Sequence, residues 1–383
     1  MTRLTWAQVC ARRLARHGLG VAAAPTPTTI AEVVSAMCGA HAQIASAAEL
    51  SVGLRAPDVT RTSVRETLWT DRTLVKTRGP RGTVHLLAAA DLPMWIGALS
   101  AIPGSAVPPS HAALLTAEQV EQVVAAIADA LSDAELTTVE LTEQVVARTG
   151  PWAGDRVMEA FQDKWPRWIA AMDVAVRRGV LCYGPNRGRA TTHTSPTRWL
   201  PGFTPMEGEA ALADLVHAYL HAYGPATPAQ FAQWLAAPRS WAADLFGSLD
   251  LAPVTVEGRP GWVAADDTDF PDEPVDVVRL LPYFDAYAVG CHPRDRVFPG
   301  AAAERALARG QAGNYPVLLV DGTVAGVWHQ RRSGRAIHVT VEPLADLDAR
   351  RRRALDEQVE RVGEVLEGRP TLTVGTVSVG PHA

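Results

Sequence analysis

The stretch RWIAAMDVAVRRGVLCYGPNRGRATTHT, residues 167–194, decides how this chain is read. Over 167–178 its apolar residues recur at helical spacing, and the runs 180–183 and 190–194 then flank the turn GPNRGR. Glycine and proline between two short strand-forming runs specify a hairpin, so the stretch is a helix that leads straight into a basic hairpin.

Working outward, helices are predicted over 117–130 and 138–148, which puts three helices ahead of this hairpin. The same grammar stands on either side. Upstream, helices run from Thr5 to about residue 68, and strands over 73–77 and 83–87 enclose Arg78-Gly79-Pro80-Arg81-Gly82. Downstream, helices over 208–223, 227–236 and 240–249 precede strands over 253–256 and 261–265. The three copies are too diverged to be an exact repeat, yet three helices followed by a hairpin is the order of a winged helix. From about Val275 the pattern changes to short strands over 277–281, 316–320, 323–328, 336–341 and 371–378, with hairpin signals at Asp321-Gly322 and Ser333-Gly334, which points to a small barrel or curled sheet. A helix over 344–367 interrupts them, and its arginines at 350–353 read as a solvated face. The fold class expected is α+β: winged helices over 1–116, 117–205 and 206–270, then a C-terminal β-barrel over 271–383.

A chain of 383 residues with 47% hydrophobic and 20% charged residues has ample material for a core. It has no run of about 18 apolar residues. Its arginine-bearing N-terminus lacks an apolar stretch with a small-residue cleavage site, so a cytoplasmic protein is expected. Cys10, Cys38, Cys182 and Cys291 form no CxxC pair, which argues against a zinc ribbon or a disulfide framework. His217 and His221 have the spacing of half a zinc site, but Ala218 replaces the HExxH glutamate and no third ligand is evident. Neither a metal nor another cofactor is expected. GxSxG, Walker A and GxGxxG patterns do not occur, which leaves little support for serine hydrolases or nucleotide-cofactor enzymes. With a net charge of −5, any binding of nucleic acid falls to a local basic surface. Lys76 and Lys164 are the only lysines, so a Schiff-base mechanism would have two candidates.

The tripeptide His41-Ala42-Gln43 follows a helix predicted over 30–38 and stopped by Gly39, and precedes an apolar stretch that begins near Ser46. Side chains at i and i+2 diverge on a helix and share a face on extended backbone. An extended connection would therefore aim His41 and Gln43 at one spot. Taken alone, the pair also fits a polar loop whose side chains cap Gly39 or bond to backbone.

The polar-x-Gln tripeptide, the wing RGTVHLL at 81–87, YGPATPAQFAQWL at 223–235 and FDAYAVGCHPRDRV at 284–297, with the helix and hairpin grammar above, resemble the AlkZ/YcaQ-type bacterial DNA glycosylases over nearly the whole chain. The resemblance implies monofunctional excision of N7-alkylated purines, N7-alkylguanine in particular, including bulky natural-product adducts and crosslinked guanines. The setting would be base excision DNA repair or antibiotic self-resistance. The family motif is Gln-x-Gln or Gln-x-Asp, so Gln43 carries over and His41 is a departure. Because the leaving base is already cationic, a neutral pair suffices: Gln43 to place a water and stabilise charge at C1′, and His41 to orient or deprotonate that water.

Arginines on hairpin tips, Arg78, Arg81, Arg187, Arg189, Arg331, Arg332 and Arg335, are expected to hold the phosphates of double-stranded DNA. Thr83 and His85 share a strand face and either support the catalytic loop or simply pack. A nucleoid-associated monomer without membrane contact is expected. The rival is a non-catalytic regulator that reads bases with Arg61 and Arg65 of a helix over 59–68. A further alternative is a lesion-binding family member in which His41 leaves excision slow or absent.

Overall fold

In the computed structural model, which describes residues 2–20, 29–104, 113–159, 163–272 and 275–382, threonine sets many helix starts. Thr5, Thr29, Thr116, Thr137 and Thr227 each accept the backbone amide three residues on, and Gln8, Glu32, Gln119, Glu140 and Gln230 reach back to the capping residue. Each cap contributes about 1 kcal/mol by satisfying donors that the first helical turn leaves open. The chain condenses into two compact units, one formed by Met1–Thr67 with Val216–Ala383 and one by Leu68–Leu215.

In the Leu68–Leu215 unit, helices Ala117–Ala130 and Thr138–Thr149 stand as predicted. The third helix starts as a tighter 3-10 turn over Arg167–Ala171 and becomes α-helical over Met172–Arg177. Strands Cys182–Arg187 and Ala190–Thr194 follow, and Leu136–Thr137 adds a third strand beside Ala190–Thr194. Val123, Ile127, Leu141, Val145, Trp168, Val176 and Leu181 fill the core beneath them. The hairpin of Leu74–Arg78 and Val84–Ala88 pairs Arg78 with Val84, and its turn carries Arg81 and Gly82 at φ 60° and 67°. Helix Leu92–Ala101 and the hairpin of Arg156–Glu159 with Lys164–Pro166 were not anticipated.

The other unit holds helices Trp6–Arg16, Ile30–Ala36 and Ala45–Gly53, and, from later in the chain, Pro228–Leu235 and Arg239–Ser248. The hairpin of Leu251–Val256 and Arg259–Ala264 gains an unanticipated parallel strand, Thr2–Leu4, with Thr2 opposite Val254 and Leu4 opposite Val256. Leu4, Val9, Val254 and Val263 pack together at this junction.

The C-terminal strands Val278–Leu281, Val317–Val320, Thr323–Ser333, Ala336–Pro343 and Arg369–Val374 pair in sequence order. Each pairing is antiparallel except the last, which is parallel. A parallel neighbour requires a crossover, and helix Ala349–Val365 supplies it, burying Leu355, Val359 and Val362 among Leu280, Leu318, Ile337 and Val339. Of the small barrel or curled sheet expected here, the strands form the curled sheet, an open half-barrel. Its first and last strands are edges, and the helix fills the concave side that a closed barrel fills with its own side chains. Arg350 and Arg351 pair with Asp276 and Asp321 on this helix's outer face, as the solvated reading expects.

Candidate active site

The His41 loop begins where helix Ile30–Ala36 is forced to stop. Cys38 and Gly39 take φ of 53° and 92°, and the Gly39 amide donates back to Val34 O at 2.9 Å. Only the second of these positions holds the residue that adopts such angles without strain. The backbone then extends through Ala40–His41. Ala40 and Ala42 are buried, His41 is half-buried and Gln43 is exposed. Both alanines are enclosed in the core, and the strand gives way to a bend at Gln43. Helix Ala45–Gly53 resumes directly after.

Both flanks of this loop are pinned by residues far away in sequence. On one side Tyr223 Oη donates to Met37 O at 2.7 Å. On the other, the His41 ring meets Phe284 edge to face, with centroids 4.7 Å apart. Phe284 sits at φ 55°, held there by its amide, which donates to Gly313 O at 2.9 Å. A bulky residue in the left-handed region is strained and persists only where its surroundings fix it. The fixing group is the next residue. Asp285 accepts from Arg55 Nη1 and Nη2, each at 2.8 Å, and from Ser51 Oγ at 2.6 Å, and it caps helix Ala286–Gly290 through the Tyr287 amide. Ser51 and Arg55 stand at the end of the helix that leaves the loop, so this pair ties His41's aromatic neighbour to His41's own chain.

The Arg55–Asp285 pair is sealed, with exposures of 1% and 0%. Burial pushes the Asp285 carboxyl up, but the Arg55 charge and the Arg55 and Ser51 hydrogen bonds outweigh it and hold it below the usual carboxylate range. Burial, with the Arg55 charge, drives nearby His17 down to about 3, so it is neutral and donates from Nε2 to Ala222 O at 3.1 Å. His382 completes the aromatic group, 5.7 Å from Phe284 and 5.6 Å from Tyr283, with its amide bonded to Asn314 O.

The arginines expected at the hairpin tips differ from one another. Arg78 pairs with Asp173 at 2.7 Å, and Arg187 with Glu140 at 3.0 Å. Arg81 is half-buried on its turn, and Arg189 is exposed on its own. Arg331, Arg332 and Arg335 are exposed and make no ion pair among the described residues. Arg332 instead spans the hairpin by donating to Gly334 O and Leu366 O. Within their own unit, Thr83 and His85 hold the wing turn: Thr83 Oγ1 donates to Pro80 O at 3.0 Å and His85 Nδ1 to Thr83 O at 2.8 Å. The arginines of the regulator reading are already engaged, Arg61 by Glu367 and Arg65 by Glu49. His221 faces Asp267 at 3.5 Å, and among the described residues no group of three His, Cys, Asp or Glu is arranged to hold a metal.

Sequence reasoning quoted 223–235 and 284–297 without assigning Tyr223, Phe284 or Asp285 a place at the site. The one local signal was an aspartate directly before a short helix, which reads as a cap.

The family model described as DNA glycosylase AlkZ-like matches residues 34–365, and the chain belongs to this family of DNA glycosylases, enzymes that break N-glycosyl bonds. The interstrand DNA cross-link repair glycosylase of Streptomyces sahachiroi is 33% identical over 343 residues, covering 85% of this chain and 88% of the relative. The solved structure of Streptomyces sahachiroi DNA glycosylase AlkZ is similar at a TM-score of 0.80 and 28% identity, over 98% of this chain and all of the other.

Proposed function

We propose that this glycosylase hydrolyses the C1′–N9 bond of N7-alkylated guanine in duplex DNA, interstrand crosslinks included, with Gln43 and His41 as its catalytic residues. Water adds to C1′ as the bond breaks, the bonding pair returns to N9 and neutralises the cationic purine, and the water's proton leaves through His41 to solvent. The Gln43 amide places the water and stabilises charge at the sugar. The observation that carries this reading is the alternation of exposure along 40–43, with Ala40 and Ala42 buried, His41 half-buried and Gln43 exposed, just past the short strand Ala40–His41.

Three tandem winged helices over 1–116, 117–205 and 206–270 would grip the duplex, with Arg331, Arg332 and Arg335 as the strongest phosphate contacts because no carboxylate competes for them. The protein would act as a monomer without a cofactor. Among the described residues no helix is long and apolar enough to cross a membrane.

The test is release of free modified base from duplexes that carry N7-methylguanine, a bulky N7 adduct or a crosslink. Gln43→Ala should lower the rate by about 10²–10³, the range for losing one preorganised dipole, and His41→Ala gives the contribution of the departing motif position. Tight binding without release from any of these duplexes would replace this reading with the lesion-binding one.

A further inference from the structure

One arginine of helix Trp6–Arg16 has no counter-charge. Arg12 and Arg16 both pair with Asp267. Arg13 is 1% exposed, and its hydrogen bonds go to the carbonyl oxygens of Gly224 and Pro225, at 3.2 and 3.1 Å. Its Nη1 has no hydrogen-bond partner, and no carboxylate pairs with it among the described residues. A guanidinium taken out of water without an anion is costly to the fold, so such a group marks a place where an anion is missing.

Arg13 lines a cavity of about 430 Å³, together with Trp6, Thr227, Glu257, Arg259, His292 and Arg296 among others. Trp6 Nε1 is a second buried donor without a partner. The Trp6 ring lies 5.3 Å from the Arg13 guanidinium and 5.6 Å from that of Arg296. Glu257 is committed twice, to the Trp6 amide at 3.0 Å and to Arg296. Arg259 at the rim is paired with Asp295 at 2.8 Å, so two carboxylates face three guanidiniums and the charge left over is that of Arg13, which an anion able to accept from several donors at once would neutralise. The volume falls in the range of small-molecule sites and exceeds what a bare oxyanion fills.

We propose that this cavity is a phosphate-binding site that takes a nucleotide, its phosphate at the Arg13 and Trp6 wall and its nucleoside in the remaining volume. The nucleotide is either free or part of a DNA strand. The inference does not rest on the excision reading, because its readout is binding alone.

The test titrates the full chain with inorganic phosphate and deoxyguanosine monophosphate by calorimetry, and with an undamaged duplex by fluorescence polarisation. Trp6→Phe removes the indole N–H and keeps the ring, Arg259→Glu reverses charge at the exposed rim, and exposed Arg239→Glu, outside the cavity, controls for net charge. Phosphate and the nucleotide should bind wild type, and the nucleotide should bind about tenfold more weakly to the first two variants. If duplex does not displace the nucleotide, the natural ligand is free. If duplex displaces it, and duplex affinity falls in those two variants but not in Arg239→Glu, the ligand is the DNA backbone. Equal affinities for all probes in wild type and variants overturn the site. Arg13→Gln should abolish nucleotide binding; should that variant fail to fold, the other two decide.

Discussion

At the base of the His41 loop, Arg55 is 1% exposed and gives both Nη groups to Asp285. At the tip of the C-terminal hairpin, Arg331 and Arg335 stand in solvent and make no ion pair among the described residues. The same side chain builds in the first place and waits for a partner in the second. Between these extremes lie half-buried Arg78 and exposed Arg187, already bound to Asp173 and Glu140. A count of basic residues on a surface would rank all these tips alike. Their pairing ranks them differently, because a phosphate must displace a carboxylate in one case and only water in the other.

The comparison is sharpest at its buried end. Asp285→Ala leaves Arg55 charged and enclosed, and should lower stability by about 3–5 kcal/mol in denaturant unfolding. Base release should fall with it, although the Asp285 side chain is fully enclosed, because Phe284 loses the anchor that holds it against His41. A variant with unchanged stability would remove the distinction between building and waiting arginines.

Acid probes the same network. The His17 imidazole is held neutral down to about 3 when folded, while an unfolded histidine takes its proton near pH 6.5. The unfolded state therefore binds more protons between these values. Stability should fall by about 1.4 kcal/mol for each pH unit below 6.5 until pH 3 is approached. Asp285, below the usual carboxylate range, contributes stability that is full above its unfolded value and is lost only as pH falls through its folded one. The check is the unfolding free energy as a function of pH, whose slope between pH 6 and 4 His17→Gln should reduce by about 1.4 kcal/mol per pH unit.

The smallest effects belong to the tips. Replacing Arg331, Arg332 and Arg335 by Ala should reduce the slope of log affinity against log salt by about 0.9 for each arginine that holds a phosphate. Arg187→Ala should leave that slope nearly unchanged and cost less than about 1 kcal/mol of stability, as exposed pairs do. A large loss of slope in Arg187→Ala would show that DNA wins the arginine from Glu140 and would break the ranking.

Much of this was legible from local pattern. Helices Ala117–Ala130 and Gly208–Tyr223 begin and end where periodicity placed them, because caps and apolar spacing are written within a few residues. The spacing of His41 and Gln43 pointed to extended or turn backbone, and the loop is a two-residue strand, Ala40–His41, that passes into a bend at Gln43. What stayed hidden depends on residues far apart in sequence: the Arg55–Asp285 pair, the Tyr223 bond to Met37, and His382 beside Phe284. The choice between a small barrel and a curled sheet stayed open for the same reason, since strand runs give no sign that the last of them lies parallel to its neighbour. Nor does spacing reveal that Arg78 and Arg187 are already paired.

The strand Thr2–Leu4, parallel to Leu251–Val256, has a consequence for the time at which the protein becomes whole. During synthesis the first strand leaves the ribosome long before its partner exists. The Leu68–Leu215 unit is continuous in sequence and can collapse on its own contacts meanwhile. The unit that carries His41 and Gln43 must hold its early segment open until residues beyond 250 arrive, and its closure is governed by contacts of long sequence separation, which form slowly. The His41 loop therefore belongs to the half of the molecule that is begun first and finished last.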